Sequence, residues 1–328
     1  MTAQAAFRSS LPGLAAIALL SAVLVNPVHA QTYPTRTITL VLPFAAGSGT
    51  DTTTRLIAAE VGKALGQQMV VDNKPGANGM LAATHVARSA PDGYTLFVTT
   101  NTTHSANPSL MKQLTYDPVK DFTPIARTGN LPFMLVVNPD IPAKTVQELT
   151  AYGKANPGKL TYASGSSAAI VMGATYAQRA NLDMLHVPYK SSPPALTDVI
   201  GGRVSMMFID IPTGLPLVNA GKLRGLAVTT KERSALLPDM PSMQEAGVPD
   251  FDITSWQGWF GPAKLPKDIV TKLNVEVRKV IENPTIRTQL GERGMDAFSG
   301  TPEELSKFVD EQLLLWTRLI KDAGIEPE

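Results

Sequence analysis

The chain has 328 residues, 29 basic and 28 acidic side chains, four histidines and no cysteine. So even a charge balance leaves no electrostatic footprint for nucleic acid or an anionic lipid surface. Without cysteine there are no disulfides and no thiol catalysis, and histidine and carboxylates are the metal ligands that remain.

Residues 1–30 read as an export signal. Arg8 is their only charge, residues 14–25 form an apolar run of h-region length, and Val28-His29-Ala30 offers small residues at the cleavage positions. That run falls short of the roughly 20 apolar residues a membrane anchor needs. The mature chain is expected to start near Gln31 and to be exported to the periplasm. Its 298 residues, equal in acids and bases, suit two lobes better than one and need no disulfides at that size.

The mature chain opens with ITLVL over residues 38–42, a β-branched and apolar run that predicts a strand. Pro43 ends it, and Ala45-Ala46-Gly47-Ser48-Gly49 predicts a tight loop. Thr50 and Asp51 have the chemistry of helix N-caps for the apolar pattern that follows. Strand, glycine loop and helix start together form an anion cradle from backbone N–H groups and the helix dipole. An ordinary βα connection has the same composition.

Strands at 69–73 and 94–99 with a helix at 80–88 between them make three βα-type units, which argues for a largely parallel sheet. In such sheets ligands sit beyond the strands' carboxyl ends, where Thr100-Asn101-Thr102-Thr103-His104 falls. A strand at 133–137 starts the expected second lobe, followed by a helix at 145–156 and a strand at 160–163. Ser164-Gly165-Ser166-Ser167 and a helix from Ala168 then repeat the opening arrangement without repeating its sequence. Strands are expected at 184–189, 204–209 and 224–229, with short helices at 194–201 and 217–220. Residues 253–260, with two of the three tryptophans, return the chain to the first lobe. The end is helical, at 269–283, 285–293 and 302–323, the last with Thr301 and Glu304 as a capping box and placed to tie the lobes together. The expected division is residues 31–131 plus 252–328 for lobe 1 and 132–251 for lobe 2.

The common catalytic and cofactor motifs are absent from the sequence. There is no G-x-S-x-G elbow, no phosphate-loop lysine, no complete G-x-G-x-x-G and no H-E-x-x-H. His85, His104 and His186 are scattered. No cofactor and no metal site is expected.

In order, Tyr33-Pro34-Thr35-Arg36, Pro43-Phe44 through Gly49-Thr50-Asp51, Asn73-Lys74-Pro75-Gly76-Ala77-Asn78-Gly79 and Pro91-Asp92-Gly93-Tyr94 resemble the Bug-type extracytoplasmic receptors of tripartite tricarboxylate transporters. Asp117-Pro118-Val119-Lys120-Asp121-Phe122, His186-Val187-Pro188-Tyr189-Lys190 and Ala220-Gly221-Lys222-Leu223-Arg224 continue the likeness to the C-terminus. The resemblance implies an α/β, type II, two-lobed "Venus flytrap" with mixed sheets. It implies a monomer that closes on a small carboxylate and passes it to membrane permease subunits, with no nucleic-acid partner and no catalysis. The ligand set it implies is Phe44, Ala46, Gly47, Ser48, Gly49, Thr50 and Asp51 in the first loop, Asn101 and His104 beyond a strand, and Ser164, Gly165, Ser166, Ser167, Ala168, Tyr189 and Asp210 in the second lobe. Gly47 and Ser166 are expected to supply backbone donors.

The sequence departs from the family pattern at Ala45-Ala46-Gly47-Ser48, at Ala169-Ile170-Val171 where a histidine is often found, at Ser191, and at Ile209 with Asp210 after it. A less polar second-lobe wall, tolerant of an aromatic or longer aliphatic ligand body, is the expectation. An enzyme using Asp51, His104 and Asp210, or a sensor component of a two-component system, are the alternative functions.

Overall fold

The structure, a computed structural model, describes residues 1–3, 5 and 33–328. Apart from residues 1–3 and 5, the expected export signal and its cleavage point near Ala30 lie outside the described residues.

The chain from Tyr33 on builds two sheets. β1 (Ile38–Leu42), α1 (Gly49–Leu65), β2 (Met69–Asn73), α2 (Met80–Ala87) and β3 (Thr95–Thr100) form the parallel start, with β1 paired to both β2 and β3. A π-turn at Thr102–Ala106 and the short α3 (Asn107–Leu110) follow. β4 (Phe122–Leu131) runs straight on into β5 (Phe133–Val137) of the other sheet. Then come α4 (Val146–Ala155), β6 (Leu160–Ser164), α5 (Ser167–Ala180), β7 (Met184–Pro188), α6 (Ser192–Ile200), β8 (Met206–Asp210), α7 (Ile211–Asn219) and β9 (Arg224–Val228). β10 (Ser255–Pro262) returns to the first sheet, and α8 (Lys267–Glu282), α9 (Pro284–Glu292), β11 (Asp296–Ala297) and α10 (Pro302–Asp322) complete the chain.

The first sheet has the order β11-β4-β10-β3-β1-β2 and the second β7-β6-β8-β5-β9. Both are mixed: β10 and β4 pair antiparallel in the first, and β5 pairs antiparallel with β8 and β9 in the second. Every residue of β5, β8 and β10 is buried, as strands covered on both faces require.

Beyond the π-turn, α3 and β11, which the sequence did not announce, three differences bear on the site and its frame. β4 was hidden by Pro124, which cannot donate to a ladder; it sits at a register shift opposite Phe260, where a proline is tolerated. The helix expected at 217–220 begins instead at Ile211, capped by Asp210 with Pro212 in its first turn. And α1 is capped by Ser48, whose hydroxyl accepts from the Asp51 N–H, not by Thr50 or Asp51.

α10 joins the two halves. Leu305 and Val309, near its start, pack with Val41, Phe97 and Trp256 of the first sheet. Trp316 and Ile320, near its end, pack with Leu135, Tyr162 and Phe208 of the second, as do Ala106 and Leu110. The last residue continues the junction, with Glu328 N–H donating to Leu110 O and its own carbonyl accepting from Lys112 N–H.

Candidate functional site

β1 delivers the chain to the loop 43–48, which Asp51 organises from below. Its Oδ2 accepts from Gly47 N–H at 2.9 Å and its Oδ1 from Asn73 Nδ2 at 2.9 Å, while Arg55 Nε lies 3.0 Å from Oδ1. Asn73 Nδ2 also donates to Phe44 O. Burial opposes ionisation of Asp51, but the bonds from Arg55, Gly47 and Asn73 together hold its carboxyl below the usual range. Asp51 therefore shapes the loop and faces away from the crevice. Gly47 cannot offer its N–H to a ligand, because Asp51 already takes it. Ala46 and Gly47 stand exposed at the crest of the loop.

Between the sheets lies a small crevice lined by Phe44, Ser48 and Thr50 from the first loop and α1, and by Ser166, Ser192 and Asp210 from the second lobe. Thr100, Leu131, Phe133 and Ser255 complete it. Ser48, Ser166 and Asp210 are the N-caps of α1, α5 and α7, and Ser192 is the first residue of α6. Four helix N-termini thus ring one crevice, each bringing partial positive charge, while first-turn N–H groups without a partner inside the helix are few in α6 and α7, where Pro193, Pro194 and Pro212 carry none. The sequence reading anticipated two of the four. Not every amide is free: Ile211 N–H donates to Pro132 O, and Thr213 N–H to Asp210 Oδ1. The amides of Gly49 and Thr50 in α1 and of Ser167 and Ala168 in α5 occupy the open first turns. Among the described residues no lysine or arginine lines the crevice, while six hydroxyls do.

The other expected residues are one layer back. Asn101 Oδ1 accepts from Ser255 Oγ, so it positions a lining hydroxyl. Ser164 Oγ lies 2.7 Å from His186 Nε2, and that ring stacks on Tyr162 at 4.8 Å. Burial lowers the His186 pKa, against the nearby Glu328 charge that raises it. Gly165 lies against the Ser191–Ser192 backbone. Ser167 Oγ donates to Asn107 Oδ1 at 3.1 Å, and the Ala168 side chain is in the second-lobe core.

Like Gly47 and Asp51, two further expected ligand residues turn away from the crevice. His104 is fully buried, its ring 4.1 Å from that of Phe260 and 4.7 Å from that of Phe122, because the π-turn rotates it into the aromatic layer. Burial pushes its pKa down to about 3, so it stays neutral. Tyr189 turns its hydroxyl to Asp198 Oδ2 at 2.6 Å, and only its N–H, donated to Ser164 O at 2.8 Å, supports the second loop. The apolar wall also lies elsewhere than expected. Ala169 and Val171 are buried in the second-lobe core, and the crevice takes its apolar surface from Phe44, Leu131 and Phe133.

The halves meet directly. Ala45 N–H donates to Ser191 Oγ at 3.0 Å across the crevice. A Cβ on Gly49 would overlap Asp210 Oδ1 and lie 2.7 Å from Asp210 Cγ. The space left for water centres is about 20 Å³, room for one or two waters. A molecule larger than a water or two can enter only if the lobes part. Among the described residues no group of three His, Asp or Glu is placed to hold a metal ion, and no helix is long and apolar enough to cross a membrane.

Two mixed α/β lobes joined by crossing strands, with helix N-termini converging on the seam, define a two-lobed solute-binding protein of the periplasmic type. Residues 53–325 match the family described as tripartite tricarboxylate transporter family receptor. The chain belongs to that family, whose members are solute receptors and not enzymes. It is similar to R. palustris Rpa4515 with adipate, at 35% identity and TM-score 0.89 over 90% of this chain and 100% of that one. Likeness to the periplasmic binding protein BugD is 32% with TM-score 0.86, over 90% and 100%. MatC from Rhodopseudomonas palustris with bound malate is 35% identical with TM-score 0.82, over 88% and 100%.

Proposed function

We propose that this protein is exported by residues 1–30 to the periplasm, captures a small organic carboxylate between its lobes as a monomer, and hands it to the permease subunits of a tripartite tricarboxylate transporter. Lobe 1 is taken as residues 31–131 plus 252–328 and lobe 2 as 132–251. The observation that carries the reading is the crevice itself, ringed by four helix N-termini and, among the described residues, free of cationic side chains. Such a site stabilises an anion through fixed dipoles and N–H donors. A helix terminus is worth about 0.3–1 kcal/mol when exposed and up to about 2 when partly buried, and a hydrogen bond to a charged oxygen about 1.5–3. Micromolar affinity, about 8 kcal/mol, is within reach of that set.

The donors we assign to the carboxylate are the first-turn amides of α1 and α5 with the hydroxyls of Thr50, Thr100, Ser166 and Ser192. Phe44, Leu131 and Phe133 offer contact to an apolar body. The adipate and malate bound by two similar proteins support the dicarboxylate class, and the apolar wall favours the longer, less hydroxylated member. Calorimetric titration with adipate, malate, citrate, aspartate and aromatic monoacids tests this. Saturable micromolar heat with adipate or an aromatic acid, exceeding that with citrate or aspartate, is expected. Silence with every carboxylate sinks the proposal, and tight citrate or aspartate binding alone sinks the assigned preference.

A further inference from the structure

The strands that cross between the lobes have two faces, and only one looks into the crevice. Successive side chains of a strand point to opposite sides. Leu131, Phe133 and Ser255 face the crevice, whereas Asn130, Pro132 and Thr254 face a second cleft of about 620 Å³. Ser255 pairs with Leu131, which sets Thr254 opposite Pro132 on the same face of the ribbon. The second cleft is also shared: Arg287, Met295 and Asp296 line it from the first lobe, Lys231, Arg233 and Leu236 from the second. Its size suits a small molecule.

The charges there are unequally committed. Arg233 is paired with Glu245 at 2.9 Å. Asp296 Oδ2 accepts from Asn130 Nδ2 at 3.4 Å and lies near the Arg127 charge. Lys231 and Arg287, from opposite lobes, enter no ion pair among the described residues. Glu232 adds one exposed carboxylate at the rim. Met295, Leu236 and Pro132 supply the apolar floor.

We propose that this cleft is a second ligand site, for a small organic anion with an apolar body, and that its occupancy holds the lobes shut. A rotation about the crossing strands that opens the crevice narrows the cleft behind them, so a molecule wedged there opposes opening. The turn between α9 and β11 carries the link. Gly294 packs on Ile211 and Pro212 at the start of α7, whose cap Asp210 is in the crevice; a Cβ at 294 would lie 2.8 Å from Ile211 Cβ. Its neighbours Gly291, Met295 and Asp296 line the second cleft. Two sites biasing one open–closed equilibrium are thermodynamically coupled.

The mature chain is cysteine-free, so Leu81→Cys and Leu185→Cys, on opposite lobes and 59% and 62% exposed, can carry spin labels for pulsed distance measurement. The probe is 8-anilinonaphthalene-1-sulfonate, one anionic group on an apolar body. Expected are saturable one-site fluorescence, at least tenfold weaker binding in the Lys231→Glu/Arg287→Glu variant, and unchanged binding in Lys144→Glu, which alters a different groove. The labelled pair should shift toward its shorter distance as the probe saturates. Lys231 and Arg287 are exposed, so their replacement leaves the fold intact. Equal affinity in the double variant, or an unmoved distance distribution at saturation, overturns the proposal. Neither readout depends on which solute the crevice takes.

Discussion

Gly49 has an ordinary backbone conformation, so its missing side chain answers to space alone. Gly49→Ala would drive a methyl into the Asp210 carboxylate only when the lobes close. Overpacking of that kind costs about 1–3 kcal/mol, and because it falls on the closed state alone it should lower solute affinity about 5- to 150-fold with little change in melting temperature. Adding Asp210→Ala removes the colliding atoms and leaves Pro212 Cβ at 3.3 Å as the nearest contact, so the double variant should recover most of the affinity in a calorimetric titration. A double variant as weak as the single would refute the steric account. Asp210 itself is a buried carboxyl whose pKa is raised by desolvation, against the Thr213 bonds that lower it. A raised folded pKa makes its contribution to stability greatest below the ordinary value of 3.8 and lost as pH rises through the folded value. Asp210→Asn keeps a good N-cap and removes the charge. Its melting temperature should exceed the parent's at neutral pH, with the gap closing toward about pH 4; a pH-independent gap would show that ionisation of Asp210 is not the cause. At this scale the sequence was readable where a residue type has one main use. Ser48, Thr50 and Asp51 are all cap-forming types in succession, so composition could not say that Ser48, rather than Asp51, takes the capping role, although a loop-orienting part for Asp51 was legible.

Among the elements, α10 was legible end to end: Thr301 accepts from Glu304 N–H at 3.2 Å and Glu304 Oε2 accepts from Thr301 N–H at 2.7 Å, the reciprocal cap its sequence announced. Its attachment to both sheets is borne by different turns, with Trp316 as the anchor in the second. Trp316→Ala should lower unfolding free energy by about 3–5 kcal/mol, read from the midpoint of a urea transition; a loss under about 1 kcal/mol would show that α10 only rests on the second lobe. The π-turn after β3 was not legible, since a polar run such as Asn101-Thr102-Thr103-His104-Ser105 carries no period that distinguishes a turn of that width from a loop. Nor was α7, because Pro212 and Pro216 read as breaks, although the first stands in the opening turn where proline is tolerated. Leu131, Phe133 and Ser255 were out of reach for another reason. They become neighbours only through the pairing of β10 with β4, a register that one sequence does not specify.

For the molecule as a whole, the crevice is too tight for its cargo while the lobes touch, so capture has to pass through an opened form. Small-angle scattering at saturating adipate or malate should give a smaller radius of gyration than the free protein, as expected when a ligand selects the closed state. An unchanged radius with a carboxylate that demonstrably binds would show that the lobes do not move. The cation-free lining has a kinetic meaning too. Steering by net charge reaches far and fades steeply with ionic strength, whereas helix-end dipoles act only within about a turn's length. A solute is thus recognised on arrival rather than drawn in from a distance, and scavenging should run at nearly the same pace in dilute and in saline surroundings.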